Sequence, residues 1–125
     1  MPLNLDSYLG VHARALQVES RRTELLAANL ANADTPGFKA RDIDFKAALA
    51  SAGNQAAVNG KAGVGALTAD TATLYRVPLA PSLDGNTVDV QLEQSAFAEN
   101  SVRYQATLTL LNGKLRSLMT AITGQ

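Results

Sequence analysis

Cysteine is absent from this 125-residue chain, which excludes disulfide staples, thiolate metal sites and cysteine nucleophiles at once and suits either redox setting. An excess of charge of one sign is also missing. Eleven basic side chains balance eleven acidic ones, and the balance holds regionally: six of each in residues 1–46, two of each in 47–88 and three of each in 89–125. A nucleic-acid or anionic-lipid partner calls for a basic excess on one surface, so neither is expected. The one basic cluster, Lys39, Arg41 and Lys46, is interrupted by Asp42 and Asp44. No apolar run approaches the roughly eighteen residues of a membrane-spanning helix. Asp6 and His12 fall where a secretory signal needs a basic start and a continuous apolar run, so a cleaved signal peptide is not expected either.

Catalytic constellations are equally scarce. His12 is the sole histidine and has no carboxylate or serine at a site-like spacing, which favours a structural or surface role. Gly63-Val64-Gly65 lacks the third glycine, the preceding strand and the acidic ribose ligand of a dinucleotide loop. Asp42 and Asp44 flank Ile43 beside basic residues and offer no further oxygen ligands at calcium-loop spacing, so a solvated turn is the expected account. No catalytic, cofactor, metal or small-molecule site is expected.

What the chain does contain is helical periodicity at both ends. From about residue 7 to residue 33, Leu9, His12, Leu16, Glu19, Thr23, Leu26, Leu30 and Ala33 follow alternating three- and four-residue steps, widened by Val11, Ala15, Val18 and Leu25. That stripe predicts one long helix, and its polar interruptions suggest more than one neighbour. The C-terminal series is cleaner. Val90, Gln94, Phe97, Ser101, Tyr104, Leu108, Leu111, Leu115, Leu118 and Ile122 form an unbroken heptad pattern with eight of ten positions apolar, a coiled-coil signal. Asn86 with Asp89, or Thr87, is expected to cap that helix.

Between the helices, residues 51–73 contain eleven Ala or Gly in twenty-three positions, too little apolar surface to offset the ordering entropy, so disorder or borrowed order is expected. Leu74 to Val77 suggests a short extended piece and Asp84-Gly85 a turn, while Pro78 and Pro81 argue against an interior strand. The expected organisation is an N-terminal helix over 1–35, a turn and loop over 36–50, a flexible linker over 51–73, a loop over 74–88 and a C-terminal helix over 89–125. The fold class is mainly α, with the two long helices packed as an antiparallel, coiled-coil-like pair around a loop-rich, partly disordered middle.

The segment from Glu24 to Phe45 joins the first helix to an abrupt stop. Thr35 before Pro36 is pushed out of helical space, and Pro36-Gly37 suits the centre of a type II turn. Asn29 and Asn32 stand beside the seam. A satisfied buried amide there would fix register between helices, whereas local capping by Asn32 and a solvent-facing Asn29 account for the same spacing; sequence leaves both open.

The run Ala28-Asn29-Leu30-Ala31-Asn32-Ala33-Asp34-Thr35-Pro36-Gly37-Phe38 resembles the N-terminal signature of the bacterial flagellar rod and hook proteins. Ala40 to Phe45, Leu74 to Pro78, Pro81 to Asp89 and Phe97 to Gln105 bring the resemblance to the proximal-rod type. Ala28-Asn29, where distal relatives carry two asparagines, and the lack of large inserted domains point the same way. The resemblance implies a structural subunit, made in the cytoplasm, exported through the flagellar type III gate without a cleaved signal, and assembled in the periplasmic rod with other rod and basal-body proteins and copies of itself. Its assembly interface is expected to use Leu16, Leu26, Asn29, Leu30, Asn32, Thr35, Pro36, Gly37, Phe38, Phe97, Tyr104, Leu108, Leu111, Leu115, Leu118 and Ile122. The alternative is a soluble helical export chaperone or adaptor gripping partners through the same seam.

Overall fold

A computed structural model describes residues 5–51 and 73–124. It contains α1 (Leu5–Ala31), β1 (Arg41–Ile43), a helical stretch over residues 45–51 (α2), β2 (Thr73–Tyr75) and α3 (Val90–Thr123). The expectation of disorder over 51–73 lies outside the described residues except at its two ends. The long helices run antiparallel: Asn29 bonds Glu93, Thr23 bonds Asn100 and Glu19 bonds Thr107, so pairing moves back along α1 as it advances along α3. The Lys114 ammonium, 4.5 Å from the centre of the Tyr8 ring, continues the order.

The apolar core is not between those helices. Val18 and Leu25 of α1 pack against Ile43 and Ala48, with Phe45 beside them, so the core lies between α1 and the segment that follows its turn. Residues 36–50, expected as turn and loop, therefore supply a strand and a helix. Asp44 explains the change, because its carboxylate accepts from the Ala47 amide at 3.1 Å and starts α2 ahead of the good helix formers Lys46, Ala47, Ala48, Leu49 and Ala50. Asp42 is likewise no solvated turn residue; it belongs to β1 and pairs with two arginines.

β1 and β2 form an antiparallel ribbon with Arg41 opposite Tyr75, Asp42 opposite Leu74 and Ile43 opposite Thr73. Pairing continues outward, since the Arg76 amide donates to the Ala40 carbonyl. The short piece expected near Leu74 thus exists, and its partner is β1.

The turn after α1 follows the chemistry of its sequence. Phe38 N–H donates to the Thr35 carbonyl across Pro36 and Gly37, and Gly37 has a φ of 72°, as the third position of a type II turn requires. The 82–88 loop then closes over it: Gly37 N–H donates to Asp84 O, Thr87 N–H to Phe38 O and Lys39 Nζ to Gly85 O. Asn86 Nδ2 reaches three carbonyls just past the end of α1, those of Asn32, Ala33 and Thr35, at 2.8 to 3.0 Å. Asn86 therefore closes α1 rather than capping α3. Thr87 is also occupied, accepting from the Ala40 amide, and Asp89 alone caps α3 through the Gln91 and Leu92 amides.

Gly37 has open space where a Cβ would stand, so any penalty for replacing it comes from the backbone alone. Gly37→Ala is expected to destabilise the chain by about 1–2 kcal/mol, the penalty of a left-handed conformation for a residue with a Cβ. Urea unfolding followed by circular dichroism measures it, and an unchanged midpoint would contradict the turn.

Candidate functional site

Asn29 is the point where the elements meet. Its side chain is 1% exposed, donates from Nδ2 to the Arg41 carbonyl at 2.7 Å and accepts the Arg41 amide at 3.1 Å. One amide thus satisfies both backbone groups on the outer edge of β1, as a neighbouring strand would. The same Nδ2 lies 3.0 Å from Glu93 Oε2 and carries the link on to α3.

Glu93 is completely buried, yet its carboxylate is compensated. Arg76 Nη1 stands 2.8 Å from Oε1, an ion-pair contact whose angle falls short of a hydrogen bond. Arg76 Nη2 also reaches Asp42 Oδ2 at 2.7 Å, and Arg22 forks onto both Asp42 oxygens at 2.8 and 3.0 Å. Two guanidinium groups and two carboxylates, drawn from α1, β1, the end of β2 and α3, form a neutral cluster. Burial opposes ionisation of Asp42, but hydrogen bonds from Arg22 and the Ile43 amide, with the charges of both arginines, outweigh it and hold its pKa below the ordinary value.

A second polar layer lies farther along the pair. Asn100 Nδ2 donates to Glu19 O and Thr23 Oγ1, both at 2.8 Å, and the Thr107 hydroxyl donates to Glu19 Oε1 at 3.2 Å. Glu19 Oε2 and Asn100 Oδ1 are buried and have no hydrogen-bond partner among the described residues. Burial raises the Glu19 pKa, against smaller lowering contributions from Thr107 and Arg103.

These contacts relocate the seam. Glu93, Asn100, Thr107 and Lys114 recur every seven residues and face α1, and Glu93 and Asn100 are the buried residues of α3. They lie one position, about 100° of helix rotation, before Gln94, Ser101, Leu108 and Leu115. The apolar heptad pattern is therefore turned to the flank of the contact instead of filling it. Phe97, Leu108, Leu111 and Leu118 are half-buried, whereas Val90, Tyr104, Leu115 and Ile122 are exposed. Periodicity detected a stripe of apolar residues, and the polar line beside it gives no hydropathy signal.

The other expected interface residues divide similarly. Leu26 and Asn29 are buried within the chain and are not available to a neighbour, a correction to their expected role. Asn32 is a local cap, donating to Ala28 O at 2.8 Å and accepting from the Thr35 hydroxyl, while Asn29 sets register. Leu16, Leu30 and Phe38 are half-buried, and Thr35, Pro36 and Gly37 are exposed. Glu93, Arg76 and Asp42 are the structural centre that sequence reading missed. The signal available was a carboxylate one position off an apolar heptad line.

A family model described as "Flagella basal body rod protein" matches residues 9–39, the span from α1 through the turn. Among curated proteins, a FlgB flagellar basal body rod protein of Cereibacter sphaeroides is 50% identical over 121 residues, covering 94% of both chains. The FlgB of Aeromonas hydrophila is 46% identical across 100% of this chain and 99% of its own, and that of Salmonella typhimurium is 43% identical across 96% of each.

Removing Arg76 would leave Glu93 buried without its counter-charge. Arg76→Ala is expected to cost about 3–5 kcal/mol in urea unfolding, and Glu93→Gln in the same chain to recover part of it. Two independent, additive losses would show that the ion pair is not coupled. The carboxylates also predict opposite responses to pH. Asp42, with its pKa lowered on folding, stabilises above the unfolded value near 3.9, and that contribution is lost as pH falls through the folded value. Glu19, with its pKa raised, contributes most below about 4.3 and loses that contribution as pH rises through the folded value. Unfolding midpoints across the carboxylate range should therefore decline less toward acid in Asp42→Asn and less toward neutral in Glu19→Gln than in the parent chain.

Proposed function

The chain belongs to the FlgB family of flagellar basal body rod proteins, and from that premise we propose how its fold builds the rod. It is a structural subunit of the basal body rod, with other flagellar rod proteins as partners. No described helix is long and apolar enough to cross a membrane. The alternative of an export chaperone or adaptor has no support, because relatives matching nearly the whole chain are rod proteins.

In our reading, α1 and α3 form a layer of the proximal rod and copies of the chain meet one another and other rod proteins through the outer flank of that pair. The observation that carries this is the seam itself. A heptad series of apolar residues has been turned away from its own chain's α1, leaving Tyr104 and Leu115 uncovered along the flank and Ile122 uncovered at its end. Phe97, Leu108, Leu111, Leu118, Leu16 and Leu30 would complete the surface from the half-buried margin, and the exposed Thr35-Pro36-Gly37 turn with Phe38 would meet a neighbour at the end. Such contacts are heterologous, since a patch pairing with itself closes a dimer and ends growth. Synthesis in the cytoplasm, passage through the type III export gate without a cleaved signal and residence in the periplasmic rod belong to the same reading and rest on family likeness.

An exposed seam residue separates assembly from folding. Leu115→Asp should leave the helicity and unfolding midpoint of the free chain unchanged. A buried leucine is worth about 1.5–3 kcal/mol, so incorporation into isolated basal bodies should fall at least about tenfold and swimming should stop. Normal swimming would sink the proposed surface.

A further inference from the structure

The two ends of the helix pair differ in a complementary way. At the end where α1 stops and α3 begins, Ala33, Pro78, Leu79 and Val90 line a hollow of about 380 Å³, with Asp84 and Asp89 on its wall. Leu79 is 83% exposed although large and apolar. Asp89 caps α3, and Asp84 accepts from Ser82 Oγ and the Asn86 amide, so both carboxylates are held in place beside the hollow.

At the opposite end, the last turns of α3 carry Met119 and Ile122 at helical spacing. Met119 is 65% and Ile122 80% exposed. Arg116 lies on the same half of the helix and has no ion-pair partner among the described residues. One end thus offers an apolar projection beside Arg116, and the other a hollow in which Pro78, Leu79 and Val90 share the wall with Ser82, Thr87 and two carboxylates.

Val90 and Ile122 are separated by 32 helical steps, about 48 Å at 1.5 Å per residue. They cannot meet within one chain. They can meet between two chains, and the contact is heterologous, so each joined copy presents a fresh hollow and a fresh projection. We propose that the C-terminal turns of α3 in one copy of this chain, carrying Met119 and Ile122, seat in the hollow beside Leu79 and Val90 of a second copy. Arg116 then approaches the carboxylates of Asp84 and Asp89. The inference rests on the rod reading for its biological setting and specifies an end-to-end contact distinct from the flank.

Because the chain has no cysteine, the contact can be read by disulfide formation, which demands Cα atoms within about 7 Å. Full-length Leu79→Cys and Ile122→Cys chains, each altered at an exposed position and checked for parental helicity, are mixed and oxidised. The expected product is the 79–122 heterodimer in excess over either homodimer, and the chain with both substitutions should give a ladder of dimers, trimers and longer species. A Leu79→Cys, Val102→Cys chain, whose second site is equally exposed but off the end, should give no ladder. Homodimers alone, monomer alone or an equal ladder from the control would overturn the proposal. Fractionation of the unaltered chain with basal bodies tests the rod reading separately: its presence there without a ladder removes only the end-to-end contact, and its absence removes the rod reading.

Discussion

The arrangement of this chain depends on one buried carboxylate. Glu93 has no solvent to stabilise its charge, so it persists in the helix interface only while Asn29 and Arg76 are brought to it. Bringing Asn29 there fixes the edge of β1; bringing Arg76 there fixes the end of β2 and, through Asp42, engages Arg22. Four elements distant in sequence are thereby held in one relation. A buried ion cluster adds little net stability compared with an apolar core of the same volume, because desolvation offsets most of the Coulomb gain. Its effect is selective: a slip of one residue along either helix would strand a charge.

Placing polar residues in the α1–α3 contact has a second consequence. An antiparallel pair whose buried residues on α3 are Glu93 and Asn100 gains register from its contact and limited hydrophobic driving force. The apolar residues of α3 are displaced to the flank, where Tyr104 and Leu115 stay exposed. The small apolar core around Val18, Leu25, Ile43 and Ala48 lies on a different face of α1, so it orients the ribbon without consuming the flank. The residues that set the internal register and the exposed apolar residues thus occupy separate stripes of the helix pair.

Much of this was legible in the sequence because it depends on local rules. The two long helices follow from three- and four-residue spacing, and the stop after α1 follows from the restriction that Pro36 places on Thr35 and the freedom of Gly37. The illegible part depends on pairings across twenty or more residues. Asn86 looked like a cap for the helix it precedes, and only the return of the loop onto Asn32, Ala33 and Thr35 shows that it closes the helix before it. Asp42 looked solvated because its partners, Arg22 and Arg76, lie 20 and 34 residues away. Hydropathy located the apolar stripe of α3 but not its direction, since a contact line made of Glu93, Asn100 and Thr107 is invisible to a search for apolar residues.

The same division accounts for why Asn29 matters to a rod subunit although it is buried within its own chain. A polymer repeats its subunit contact many times, so a small angular error between the flank and the ends of the helix pair would accumulate along the assembly. Apolar contacts are non-directional and tolerate such errors. Hydrogen bonds are not tolerant, because they weaken steeply with angle. Asn29, bonded to β1 on one side and α3 on the other, converts the position of the Thr35 to Phe38 turn into a fixed function of the α1–α3 register. The joint is therefore internal: the asparagine is buried within its own chain and holds the turn and the helix pair at a defined angle to one another.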